Sequence, residues 1–411
     1  MGPLKKNLLI LSGGIEAVEG IKVAKKMGHH TIVCDGNENA PGKSYADEFV
    51  VGDIYNPNQL KKIFFKYTQK KSIDGIITIG SDAVRSVSAL CKQHNLPGQT
   101  IKSSILTTDK LKMKFALQKN SLLVPNFVEI KNKNDLHKKI LNFDNAVLKP
   151  TDNRGSRGVI LLNRNSDIDK MYDYSIKFSR NKKLILEEWI SGAQLSTESL
   201  VISGKTYLCG IADRNYSNLK NTFPHVVEDG GETPSKYYPK IKNKLQKILD
   251  LVATSLELKN GVIKGDIVLK NNDLYIIEIA SRLSGGFFST ITIPLVYRIN
   301  LIEKAILLSL GQKPVPPPNQ LKNYCFQANR FFFPKPGIVK KIIKPNVQNL
   351  PKYVKYFELN TKIGDKIIPI ANHPMRNGSV LVTGKTRRDA ILHAEKIRGL
   401  VKLETVQHYL N

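Results

Sequence analysis

The sequence predicts a mixed chain, α/β over its first hundred or so residues and α+β beyond them. Three observations lead there. Short apolar runs alternate with helix-length amphipathic stretches through Gly80, a strand-rich middle holds one clear hairpin at 262–280, and four prolines within 314–318 precede a strand-rich tail.

In order, Leu8 to Leu11 reads as a buried strand, Glu16 to Met27 as a helix, and His30 to Cys34 as a second strand ending at Asp35. The opening apolar run is too short for a signal peptide and passes straight into Ser12-Gly13-Gly14, so it is read as a strand. That turn lacks the full glycine fingerprint of a dinucleotide site and is expected to line a cleft at the strand end. A helix near 57–69 and an apolar strand at 74–80 complete βαβ patterning, which implies a parallel sheet with helices on both faces. At Thr107-Thr108-Asp109 a capping residue opens the helix Lys110 to Asn120, which Val124-Pro125 stops. Strands are expected at 146–149, 159–163, 184–189, 196–203 and 205–212, then a helix at 239–256 and the hairpin. Past the proline linker the tail closes with a strand at 379–384 and an amphipathic helix at 388–400.

Composition excludes several classes. With 41% hydrophobic and 24% charged residues the chain is globular, and no apolar run reaches the roughly 18 residues of a membrane span. Cys34, Cys91, Cys209 and Cys325 lie far apart with no paired metal or redox spacing, which fits a reducing cytoplasm. The net charge is +28, but 50 of the 63 basic residues are lysines, scattered in short pairs such as Lys61-Lys62 and Lys340-Lys341. Nucleic-acid binders concentrate charge on one element, so compositional drift with small anionic substrates is the better reading, and neither nucleic acid nor membrane is expected as a partner.

The chemistry concentrates in four segments. In the hairpin, a three-residue Asn271-Asn272-Asp273 loop pairs Lys270 with Leu274 and sets Asp266 opposite Glu278 on one face. Opposed carboxylates destabilise a sheet unless a cation lies between them, and hard oxygen ligands at that separation suit magnesium. The alternative is a two-residue loop, which slips the register by one and turns one carboxylate to solvent. Arg282, four residues after Glu278, can hold an anionic oxygen, and Gly285-Gly286 let backbone approach a ligand. Upstream, Lys149 ends an apolar strand and is followed by the glycine- and arginine-containing loop 151–158, which includes Ser156, Arg157 and Gly158. Such a loop can close over polyphosphate, although loops of this composition are common. The segment Glu187-Glu188-Trp189-Ile190 ends another strand with acids and apolar walls that suit a nucleobase.

Taken in order with the helix start Asp109-Lys110, these segments resemble the ATP-grasp superfamily over nearly the whole chain. The likeness is to its carboxylate–amine ligases, with the architecture of biotin carboxylase and the large subunit of carbamoyl-phosphate synthase. The resemblance implies a Rossmann-like domain at 1–106, a two-lobed ATP-grasp core at 107–312 (lobes near 107–185 and 186–312) and a small α+β closing domain at 319–411. It makes Lys110 and Lys149 the phosphate lysines, Thr151 to Gly158 the flap, and Glu187 to Ile190 the adenine hinge. Gln194 falls near the ribose position, Asp266 and Glu278 become the magnesium ligands, and Arg282 lies beside the reacting carboxylate. Asp266 stands where Glu is commoner, Gln194 where an acid is usual, and Ala280 where many members carry a metal-binding Asn, which puts a second ion in doubt.

The implied cofactors are ATP and magnesium, with manganese as an alternative ion. The implied reaction is ATP-dependent ligation of a carboxylic acid to an amine (or thiol) through an acyl phosphate, with small-molecule substrates; a homodimer is compatible with the resemblance. An ATP- and bicarbonate-dependent carboxylase uses the same parts. Lys112-Met113-Lys114 reverses the order of a biotinyl segment. Asp213 to Tyr216, His225, Glu232 to Pro234, Asp82 and Arg85 are candidates for the acceptor site, with solvated loop as the other reading, and no general base stands out.

Overall fold

A computed structural model describes residues 5–406. The first unit is a four-stranded parallel sheet in the order Glu48–Val51, His30–Asp35, Asn7–Leu11, Gly75–Ile77. Strand order reverses beside Asn7–Leu11, and the crevice beyond the carboxyl ends of its strands is where open α/β sheets bind ligands. Ser12, Gly14 and Gly80 stand there. The short strand Glu48–Val51 escapes sequence reading because only four residues pair, at the sheet edge.

A second four-stranded sheet, ordered Phe127–Ile130, Leu184–Glu188, Ala146–Pro150, Ile160–Leu162, carries the flap between its last two strands. The helix Lys110–Lys119 precedes it, capped by Asp109, whose Oδ1 accepts from the backbone N–H groups of Leu111 and Lys112 at 3.1 Å. Asp109→Ala is expected to lower stability by about 1 kcal/mol, read as a shifted urea midpoint at unchanged slope.

The third sheet has eight strands and forms the floor. Its order is Asp273–Ala280, Gly261–Lys270, Ala193–Ile202, Lys205–Asn215, Gly230–Thr233, Phe326–Phe331, Gly378–Gly384, Val354–Leu359. Strands after the proline run therefore extend the core sheet through the pairing of Gly230–Thr233 with Phe326–Phe331, across the boundary expected at 312–319. A three-stranded sheet of Gly337–Ile343, Lys366–Ile367 and Lys402–Val406 completes the tail.

One apolar cluster joins the first unit to the floor, with Leu8, Ile10, Ile77 and Ile79 packed with Ile202, Val262, Leu283 and Ile306. Ile79 also bridges to Leu283, which sets Arg282 against the first sheet. No helix among the described residues is long and apolar enough to cross a membrane.

Candidate active site

The three sheets enclose a cavity of about 670 Å³. Lys110, Lys149, Ser156, Arg157, Glu187, Glu188, Trp189, Ile190, Gln194, Asp266, Glu278 and Arg282 all line it. Thr151, Asp152 and Gly158 of the flap lie outside that wall, as do the acceptor-site candidates Asp82, Arg85, Asn215, His225, Glu232 and Pro234, and Gly158 has a backbone reason for it. At φ +73° it turns the flap back onto its own lobe, and a Cβ there would lie 2.9 Å from both Pro150 and Phe178.

The hairpin reaches its pairing by an unexpected route. Its loop has two residues, Asn271 and Asn272, both at positive φ as a tight hairpin turn requires, and Lys270 pairs with Asp273. A bulge at Ile277 then adds one residue to the outer strand, so Asp266 still faces Glu278. The inner strand pairs with Ala193–Ile202 without interruption from Gly261 to Leu269, so the irregularity falls on the edge strand.

Each carboxylate already has basic neighbours. Asp266 is bonded to Lys264, and Arg214 Nη1 lies 2.9 Å from its Oδ1. Burial works to raise the Asp266 pKa, but Arg214 and Lys264 hold it down at about 2. Glu278 lies 3.1 Å from Lys110 Nζ, which also donates to the carbonyl of Asn153 in the flap. Although burial works to lower it, Glu278 and Asp82 keep the Lys110 ammonium above its usual range.

Glu187 is a buried counter-ion. Its Oε2 lies 2.8 Å from Lys149 Nζ and 3.3 Å from Lys114 Nζ. Burial pulls the carboxyl up, and the two lysines hold it below the usual carboxylate range. Its Oε1 is buried and unsatisfied at the cavity wall, so it can accept a hydrogen bond from a bound group. Lys114, fully buried, also donates to the carbonyl of Ile276 at 2.9 Å, and desolvation lowers its pKa to about 8. Sequence reading missed it; its spacing of four from Lys110 on one helix was the available signal.

Arg282 is fixed by Asp82 at the end of the first sheet, and Asp82 also lies 3.4 Å from Arg154 of the flap. Arg85 instead donates to Thr108 at 2.7 Å. Arg214 and Tyr216 line the cavity, whereas His225 packs on the Tyr174 ring, 5.1 Å between centroids. Glu232 is buried between Arg330 and Arg387, latching the tail to the floor.

The flap is held from both sides. Arg154 lies over the Tyr55 ring at 4.2 Å, while the backbone N–H of His373 donates to the carbonyl of Gly155 at 3.0 Å. His373 Nε2 accepts from the backbone N–H of Glu228 at 3.3 Å, so it is a neutral imidazole, and burial with nearby Arg376 keeps its pKa well below the usual value. Arg376 is stacked at 3.4 Å on Phe331 and bonded to the carbonyls of His373 and Glu228. No motif announced His373, Arg376 or Glu16, because they come from tail and amino-terminal segments that only the fold brings to the cavity.

Most of the cavity wall falls in segments that match ATP-grasp domains, and the chain belongs to the ATP-grasp superfamily. Residues 107–286 match an ATP-grasp domain, 21–98 an ATP-grasp N-terminal domain, and 330–406 an L-amino acid ligase C-terminal domain 2. A "Formate-dependent phosphoribosylglycinamide formyltransferase" of Prochlorococcus marinus (strain NATL2A) is 26% identical over 216 residues, 51% of this chain and 54% of that protein. The chain thus spans about half the length of that curated relative. A protein of the same description from Saccharolobus solfataricus is 22% identical across 96% of both chains. The L-amino acid ligase of Bacillus licheniformis superposes with a TM-score of 0.80 at 17% identity, covering 98% of this chain and 99% of that one.

Proposed function

We propose that this chain is an ATP-dependent ligase that joins a small carboxylic acid to an amine and releases ADP and phosphate. The observation that carries the reading is the convergence of Lys110, Lys149, Arg282 and the facing pair Asp266/Glu278 on one cavity. Triphosphate and carboxylate repel one another, so phosphoryl transfer between them needs cations fixed in advance around the reacting group.

The protein offers two facing carboxylates, Asp266 and Glu278, on the cavity wall. That suits magnesium, which takes one or two carboxylates and completes its shell with phosphate oxygens and water. The contact of Arg214 with Asp266 Oδ1 lacks hydrogen-bond alignment, leaving that buried oxygen unsatisfied, so the residues fit the ion. Asp266 and Glu278 would hold magnesium, which when bound neutralises triphosphate charge. Lys110 and Lys149 would bind phosphate oxygens, Glu187 to Ile190 the adenine, Gln194 the ribose, and Ser156 and Arg157 would close over the chain of phosphates. Arg282, oriented by Asp82, would hold the acid's carboxylate for attack on the γ-phosphorus.

The relatives' names point to formate and L-amino acids as acids to try. A reducing cytoplasm suits this reading, since Cys34, Cys91 and Cys209 are buried free thiols whose pKa burial pushes up to about 12. The test is ADP and phosphate release with formate, acetate or each L-amino acid, crossed with ammonia and the L-amino acids as amines, with and without magnesium. Amide formation requiring acid, amine and magnesium together is expected. ADP release with bicarbonate alone would move the protein to the carboxylase class, and release needing no acid would overturn the ligase reading.

A further inference from the structure

Acyl-phosphate chemistry needs a group that receives the attacking amine, and the cavity holds a carboxylate with no task so far. Glu16, in the first turn of the helix Ile15–Lys26, reaches the end of the cavity formed by Gly80 and Gly285. Its Oε1 accepts from the backbone N–H of Gly286 at 2.6 Å. A Cβ at Gly285 would lie 2.4 Å from Glu16 Oε2 and one at Gly80 2.9 Å from it, so two glycines from different units leave room for this one carboxylate. Arg282 and Arg376 act on it through space without hydrogen-bonding it, and Glu358 in the strand Val354–Leu359 adds a like charge that works in the opposite sense. Glu358 is itself bonded by Tyr356 and lines the same cavity. Two carboxylates bordering one cavity, beside the arginine assigned to the acid, make a place for a positive charge.

Resting on the ligase reading above, we propose that Glu16 is a catalytic residue that holds the ammonium group of the amine substrate beside Glu358 and takes the proton its nitrogen must lose before attack. Burial raises the Glu16 pKa against the pull of the Gly286 N–H and Arg282, which makes the carboxylate a stronger proton acceptor. In the first half-reaction an acid oxygen attacks the γ-phosphorus and the bond to the β-phosphate oxygen breaks, giving acyl phosphate and ADP. In the second, the nitrogen lone pair forms the C–N bond as the C–O bond to phosphate breaks. Of the two protons nitrogen gives up in all, one passes through Glu16 to solvent and the other leaves on hydrogen phosphate.

The experiment compares two nucleophiles on wild type, Glu16→Gln and Glu16→Asp, using the acids and L-amino acid amines named above. Hydroxylamine, uncharged at neutral pH, traps acyl phosphate as hydroxamate and needs no base. Glu16→Gln is expected to form hydroxamate at the wild-type rate and to lose about 100-fold or more in kcat/KM for the amine, with Glu16→Asp intermediate. Undiminished amide formation by Glu16→Gln would overturn the proposal, as would equal loss of both products in Glu16→Gln and Glu16→Asp, the mark of a residue that only pins Gly286. Failure of wild type to form hydroxamate with any acid would overturn the ligase reading itself, and this proposal with it.

Discussion

Glu278→Gln is expected to fold normally and to lose about 10²–10³-fold in ATP turnover, the usual effect of removing one preset electrostatic contact around a transferring group. The substitution keeps the shape of the side chain, and Glu278 is about a third exposed, so folding tolerates it. What it removes is a charge that faces Asp266 across the hairpin and sits 3.1 Å from Lys110. Magnesium would keep one protein ligand instead of two, so the magnesium concentration for half-maximal turnover should rise as well. Thermal denaturation without ligand should shift downward, though less than for Glu187→Gln, because buried Lys110 loses its nearest carboxylate while Glu278 itself is partly exposed. Full turnover at unchanged magnesium dependence would remove the metal assignment. Asp266→Asn should behave differently, because Asp266 neutralises Arg214 and Lys264 inside the protein; that variant should lose stability together with activity.

The sequence carried the signals that are local to one strand or turn: the apolar strands, the Asp109 cap, the strand-end Lys149 and the hairpin acids. The facing of Asp266 and Glu278 came out as expected, but from two departures that compensate. Asn271 and Asn272 make the loop one residue shorter, and the Ile277 bulge restores the register. The bulge is illegible because its cause is the neighbouring strand Ala193–Ile202, whose unbroken pairing fixes the inner strand. The same limit explains Glu187. Its place at a strand end suggested a nucleobase contact, but its partner Lys114 lies on another element, and two residues distant in sequence become an ion pair only through the fold. Arg376 and Glu16 stand near opposite ends of the chain, and no spacing rule connects them.

Glu187→Gln is expected to be the most destabilising of the site variants, by about 3–5 kcal/mol, because it leaves two ammonium groups buried without a counter-ion. Lys149 and Lys114 both converge on its Oε2, and all three side chains are buried. Lys114→Met should cost far less, since the remaining Glu187–Lys149 pair is electrically balanced and a flexible apolar chain of similar length fills the space. The trio carries one excess positive charge, and pH exposes it. Desolvation sets the Lys114 pKa at about 8, below its ordinary 10.5, so between those values the unfolded chain binds more protons than the folded one. This group's contribution to stability therefore rises with pH from about 8 to 10.5, and Lys114→Met should abolish that part of the rise. Urea denaturation at pH 7.5 and 9.5, roughly either side of that value, measures both effects. Equal stabilities for Glu187→Gln and Lys114→Met would show that the carboxylate does not hold the two lysines, and the buried charge balance inferred for this wall of the cavity would fall.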